Sequence, residues 1–107
     1  MRESNVEKYL VKRVKELGGK TRKLKWIGRR GAPDRFVMLY GGFFVELKAL
    51  GEKLRPEQQR EHDTLRGHGV EVYTLDSVEA IEELLASRLP IKKFLARGLF
   101  PKPVCPP

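Results

Sequence analysis

Three side chains in the stretch RRGAPDRFVMLYGGFFVELKA, Arg29 to Ala49, could do chemistry together: Asp34, Glu46 and Lys48. They interrupt two very apolar segments, and a hairpin that only had to fold would keep charge off any face it buries. Two carboxylates converging in a half-buried pocket repel each other and lose hydration unless a cation sits between them. Mg2+ takes oxygen ligands in near-octahedral geometry and keeps several waters. Asp34, Glu46 and the main-chain carbonyl of Leu47 would form such a partial cage. A metal there polarises a phosphoryl oxygen and lowers the pKa of a bound water. Lys48, a positive point charge beside it, would orient that water or offset the charge gained by the phosphate. Phosphodiester hydrolysis needs these parts. The competing reading ends a turn with Asp34 and leaves Glu46 and Lys48 as an edge salt bridge. An acid following Pro33 at the start of one strand, with a basic segment upstream, favours the metal site over that pairing.

Whether the acids meet depends on the hairpin register. With Gly41-Gly42 as a two-residue turn, Tyr40 faces Phe43 and Glu46 faces Val37. Directly opposed side chains share a face, so Asp34 and Glu46 would then point to opposite sides of the sheet. A three-residue connection, Tyr40-Gly41-Gly42, with a glycine in the left-handed region, places Asp34 opposite Lys48 and Phe36 opposite Glu46. One face would carry Asp34, Phe36, Met38, Phe44, Glu46 and Lys48. The other would be a continuous apolar surface of Val37, Leu39, Phe43, Val45 and Leu47. A one-residue slip flips every side chain, and the expectation is the odd connection.

The elements that must hold this hairpin follow from periodicity. Val6, Leu10, Val14 and Leu17 mark one face of a helix, with Ser4 and Glu7 as a capping box and Gly18-Gly19 as its end. A basic strand carrying Trp26 follows, then a loop from Gly28 to Pro33. The hairpin strands span Arg35–Tyr40 and Phe43–Lys48. Pro56 opens a second helix that runs to about Arg66. Val70–Leu75 alternates as a strand, and Asp76-Ser77-Val78-Glu79 caps a third helix bearing Val78, Ile81, Leu84 and Leu85. Pro90 ends it, and a short amphipathic piece, Ile91–Arg97, precedes a proline-rich tail. The order predicts an α/β fold with a mixed sheet, a central antiparallel hairpin and helices on both faces. One domain over residues 1–89 and an extension over 90–107 fit the length.

The net charge of +8 is uneven. Residues 1–35 hold 12 Lys/Arg against 4 Asp/Glu, whereas residues 36–107 hold 10 of each, so the excess lies in the first third. Lys20, Arg22, Lys23, Lys25, Arg29 and Arg30 form its densest part, with no acid among them. Such a field suits a polyphosphate partner, because each neutralised phosphate releases counterions. The longest mostly apolar run, Phe36–Val45, is too short to span a membrane. One cysteine, Cys105, excludes an intrachain disulfide, which suits a reducing cytoplasm.

Pro33-Asp34, eleven intervening residues and Glu46-Leu47-Lys48 resemble the signature of the PD-(D/E)XK nuclease superfamily. More narrowly, GAPDRFVMLYGGFFVELKA, LRPEQQREHDTLRGHGVEVYTL and DSVEAIEELL look like the VRR-NUC domain, over roughly residues 3–85. That resemblance implies a restriction endonuclease-like core and a Mg2+- or Mn2+-dependent endonuclease acting on branched DNA such as Holliday junctions, as a homodimer. It also implies that Glu7 approaches the metal and that Gln58 supports the site, beside Asp34, Glu46 and Lys48. His62, on the same helix face as Gln58, reads as packing or interface, and Trp26 as core. The alternatives are a basic nucleic-acid-binding module without catalysis, or a related nuclease acting on linear or flap DNA.

Overall fold

The computed structural model describes residues Arg2–Leu89. In chain order it contains α1 (Glu3–Glu16), β1 (Lys20–Lys23), β2 (Arg35–Met38), β3 (Gly42–Leu47), α2 (Pro56–Gly67), β4 (Val72–Leu75) and α3 (Val78–Arg88). The segment Ile91–Arg97 and the proline-rich tail lie outside the described residues.

The strands form one four-stranded sheet in the order β1-β2-β3-β4. The first three pair antiparallel, and β4 lies parallel to β3. A parallel neighbour cannot be reached by a tight turn, so the chain crosses over through α2. Val37, Leu39, Phe43, Val45, Leu47 and Leu75 build the inner face of the sheet. Against them pack Val6, Leu10 and Val14 of α1, all fully buried, and Ile81, Leu84 and Leu85 of α3. Tyr9 and Arg13 of α1 both donate to Glu82 of α3, at 2.7 Å each, and tie the two helices together. Ser77 caps α3 as expected, accepting from Ala80 N–H at 3.1 Å. No described helix is long and apolar enough to cross a membrane.

Helix α2 lies over the other face, and its buried residues are Gln58, Glu61 and His62. A helix that served only to cover a sheet would bury an apolar stripe. Burying three polar side chains instead marks this face as a site.

Two expectations are corrected at the ends of elements. Helix α1 begins at Glu3, so Ser4 lies inside it and caps nothing; Glu7 is engaged elsewhere, by Arg35. Strand β1 stops at Lys23, which leaves Trp26 in the following loop.

The hairpin has the odd connection, moved by one residue, which shifts the strand pairing by two. Met38 pairs with Gly42 and Phe36 with Phe44, so the loop is Leu39-Tyr40-Gly41. Leu39 N–H donates to Gly41 O at 2.9 Å. One step beyond the paired residues, Asp34 comes opposite Glu46, not Lys48. A shift of two preserves every side chain's face, so the apolar and polar faces are those expected. Gly42 suits the observed register. The Phe36 ring lies across it, where an added Cβ would come within 2.3 Å of that ring, and stacks at 5.1 Å on Phe44.

The loop holds Tyr40 at φ 47°, in the left-handed region that costs a non-glycine residue about 1 kcal/mol. Asparagine tolerates this region better. Tyr40→Asn should therefore raise stability in urea unfolding by ~0.5–1 kcal/mol. A variant less stable than the parent would contradict the observed loop.

Candidate active site

The polar face of the hairpin gathers the expected residues at the junction of β2, β3 and α2. Asp34 stands just before β2; its main-chain oxygen accepts from Leu24 N–H at 3.0 Å, and its Oδ2 accepts from Leu47 N–H at 2.7 Å. These bonds fix the carboxylate against β3. Glu46 is 1% exposed and Lys48 6%. Glu46 Oε2 accepts from Gln58 Nε2 at 3.1 Å and lies 3.7 Å from Lys48 Nζ. Gln58 is fixed in turn, because its Oε1 accepts from Arg55 N–H at 2.9 Å at the start of α2. With the oxygen occupied by that donor, the amide nitrogen must point to the carboxylate. Gln58 thus both satisfies a free N–H of the helix end and orients Glu46.

The second oxygen of Glu46, Oε1, is buried with no hydrogen-bond partner. His62, fully buried, lies with its Nε2 3.6 Å away, and neither of its ring nitrogens has a partner. Buried carboxylate oxygens are normally satisfied. An unfilled acceptor here fits a cation as the missing neighbour. The donor set also fits a hard ion, since Asp34, Glu46 and a main-chain carbonyl offer only oxygen. Among the described residues no three His, Cys, Asp or Glu side chains come together as a metal cluster. Most of such an ion's coordination would therefore fall to waters, main chain and substrate.

Asp34 carries the electrical strain of the arrangement. Burial pushes its carboxyl up to about 6; the Leu47 N–H opposes this, while the charges of Glu46 and Glu3 add to it. Glu3 of α1 is thus one of the acids whose charge raises the Asp34 pKa. Glu7, expected at the metal, is paired with Arg35 Nε at 2.8 Å, and Arg35 also donates to Thr21.

Lys20 and Arg22 share the site face of the sheet, opposite Met38 and Phe36; Lys23 points to the other face, towards α1. Lys25, Arg29 and Arg30 are exposed in the loop before Asp34. Sequence reasoning passed over Lys8, Lys12 and Lys15 of α1, which line a groove of about 520 Å3 with Glu7 and Arg35. Their spacing along the helix was the available signal. Glu61 was also missed; it is buried and bridges Trp26 and Arg29. Trp26 itself is partly buried, edge-on to Phe44 at 6.1 Å.

A carboxyl whose folded pKa lies above its unfolded value binds protons more readily in the folded state, so its ionisation removes stability as pH rises through the folded value. Asp34 therefore weakens the metal-free protein above about pH 6 and costs nothing below about pH 4. Asp34→Asn keeps an acceptor for Leu47 N–H. In EDTA it should be more stable than the parent by ~1 kcal/mol at neutral pH, discounted for partial exposure, with the gain vanishing below about pH 4. Urea unfolding across pH checks this.

Relatives agree with this fold. No family profile matches the chain. It is 49% identical over 79 residues to "Putative nuclease p44" of Acyrthosiphon pisum secondary endosymbiont phage 1, covering 72% of this chain and 85% of that protein. A solved structure described as a VRR_NUC domain superposes with a TM-score of 0.75 at 38% identity, covering 81% of this chain and 97% of the other. The sheet and its three helices are thus the restriction endonuclease-like fold of the VRR-NUC nucleases, and the chain belongs to that family.

Proposed function

We propose that this nuclease is a divalent-metal-dependent endonuclease that cuts branched DNA as a homodimer. The observation that carries the metal dependence is the buried, unpartnered Oε1 of Glu46, on the hairpin face it shares with the Asp34 carboxyl. Asp34, Glu46 and the Leu47 carbonyl would hold Mg2+ or Mn2+, with Glu3 contributing negative charge at the approach. When bound, the ion supplies Lewis-acid polarisation of the phosphate and a more acidic water.

The chain's own residues do the rest. Gln58 holds Glu46 in place through its amide, so the carboxylate needs no reorganisation when substrate arrives. The Lys48 ammonium, anchored near Glu46, offsets the negative charge that builds on the phosphoryl oxygens as water adds and the ester P–O bond breaks. Lys20, Arg22, Lys23, Lys25, Arg29 and Arg30 neutralise backbone phosphates. One site cuts one strand, so paired incision of a junction takes two copies, most simply about a twofold axis. A basic module without catalysis is disfavoured, because two unneutralised carboxylates beside a phosphate weaken binding.

Incubation with four-way junction, flap, nicked and linear DNA, with and without Mg2+ or Mn2+, tests the proposal. Cleavage should need the metal and favour the branched forms, and sedimentation should show a dimer. Asp34→Ala, Glu46→Ala and Lys48→Ala should each lower cleavage ~100-fold or more while keeping DNA binding in EDTA. Glu3→Gln should raise the Mg2+ needed for half-maximal cleavage more than Glu7→Gln does. Failure of the folded parent to cut any of these substrates would overturn the reading.

A further inference from the structure

The loop between β1 and β2 ends in an apolar tip that the fold does not use. Ile27 is 97% exposed, so its side chain contributes almost nothing to the core. The loop beneath it is nonetheless firmly built. Glu61 reaches up from α2 and clasps both sides of the tip. Its Oε2 accepts from Trp26 Nε1 at 2.6 Å, and its Oε1 accepts from Arg29 Nε at 2.9 Å. The Trp26 ring also rests on Phe44. Further along, Gly31 lies so close to α2 that a Cβ there would stand 2.4 Å from the Glu57 carbonyl oxygen. Ile27 and Gly28 are therefore held out between two anchored residues. Lys25 precedes the tip and Arg29 and Arg30 follow it, all exposed, and no acid occurs from Lys20 to Arg30.

We propose that Ile27 is a wedge that enters a DNA base stack where the stacking is already broken, and so selects branched or nicked DNA over continuous duplex; this rests on the nuclease reading above. Apolar side chains inserted between base steps unstack them, with cations on either side holding the phosphates. Unstacking is expensive in continuous duplex and cheapest where a step is already disrupted. Exposed cations on both sides of one apolar tip fit a nucleic acid better than a protein groove, because the phosphates then meet charge of opposite sign. The wedge and the acidic pocket share a brace. Glu61 grips the loop, while its neighbour His62 lies 3.6 Å from Glu46, so the tip stands at a set distance from the site of cleavage.

The test uses the full chain in EDTA, where no cutting occurs, with 2-aminopurine placed at the branch point of a flap or four-way junction. Parent protein should raise the fluorescence on binding, Ile27→Leu should do the same, and Ile27→Ser should not. Ile27→Ser, at a fully exposed position, should keep the parent's melting temperature and its affinity for continuous duplex. With Mg2+ present, its preference for branched over continuous duplex should fall ~10-fold or more. An unchanged 2-aminopurine response from Ile27→Ser, while the parent still cuts, overturns the wedge and leaves the nuclease reading standing. Loss of a parent dimer in sedimentation of Ile27→Ser would make Ile27 an interface residue and also overturn it. Unstacking lost in Ile27→Ser, with no cutting by the parent on any substrate, would support the wedge and overturn the nuclease reading.

Discussion

Side chains along a strand alternate between the two faces of a sheet, so two residues on neighbouring strands meet only if the connection has the right parity. Here the connection is Leu39-Tyr40-Gly41, an odd number, and it puts Asp34 and Glu46 on one side of the β2–β3 hairpin. An even loop would send one carboxylate into the apolar layer beneath α1 and α3 and expose part of that layer in exchange. The same parity lays down the core, since Val37, Leu39, Phe43, Val45 and Leu47 all turn inward together. Folding and chemistry therefore make the same demand on the loop, which accepts a left-handed Tyr40 to meet it.

Around that hairpin, α2 acts as a polar bracket. Its three buried residues each hold something on the site side: Gln58 and His62 flank Glu46, and Glu61 grips the loop bearing Trp26 and Arg29. Arg29 keeps the Glu61 carboxyl below the ordinary range, with the Trp26 N–H adding to the effect, although burial works against both. Charge-assisted hydrogen bonds of this kind are stronger than neutral ones and hold direction as well as distance. The result is a rigid surround for a pocket whose own groups are left under-satisfied. Asp34 is pushed towards its neutral form and Glu46 keeps an oxygen without a donor. Such unmet demand lowers stability.

The basic excess folds into α1, β1 and the following loop, and so lies beside the acidic pocket. Lys20 and Arg22 project on the pocket's own face, while the lysines of α1 line a groove on the other side of β1. A polyanion drawn to these surfaces would be brought to a point where two carboxylates oppose it. The contradiction is resolved only if positive charge is added there, which is the physical argument for a cation in the proposed mechanism.

Periodicity in the sequence was enough to fix which residues face inward, because hydrophobic alternation has a period of two and a one-residue slip exposes the core. The helical stripe of α1, the proline start of α2, the Ser77 cap and the shared face of Asp34, Glu46 and Lys48 were legible for that reason. The absolute register was not. A shift of two leaves the alternation unchanged, and the folded hairpin, with Phe36 packed over Gly42, sets Asp34 opposite Glu46 and not Lys48. Tertiary contacts likewise decided that Glu7 turns to Arg35, that His62 is fully buried beside Glu46, and that Glu61 is buried as a brace for Trp26 and Arg29. A charged or polar residue on a helix carries no sign of what lies opposite it until the helix is docked, because its preference for water yields only to a partner supplied by another part of the chain.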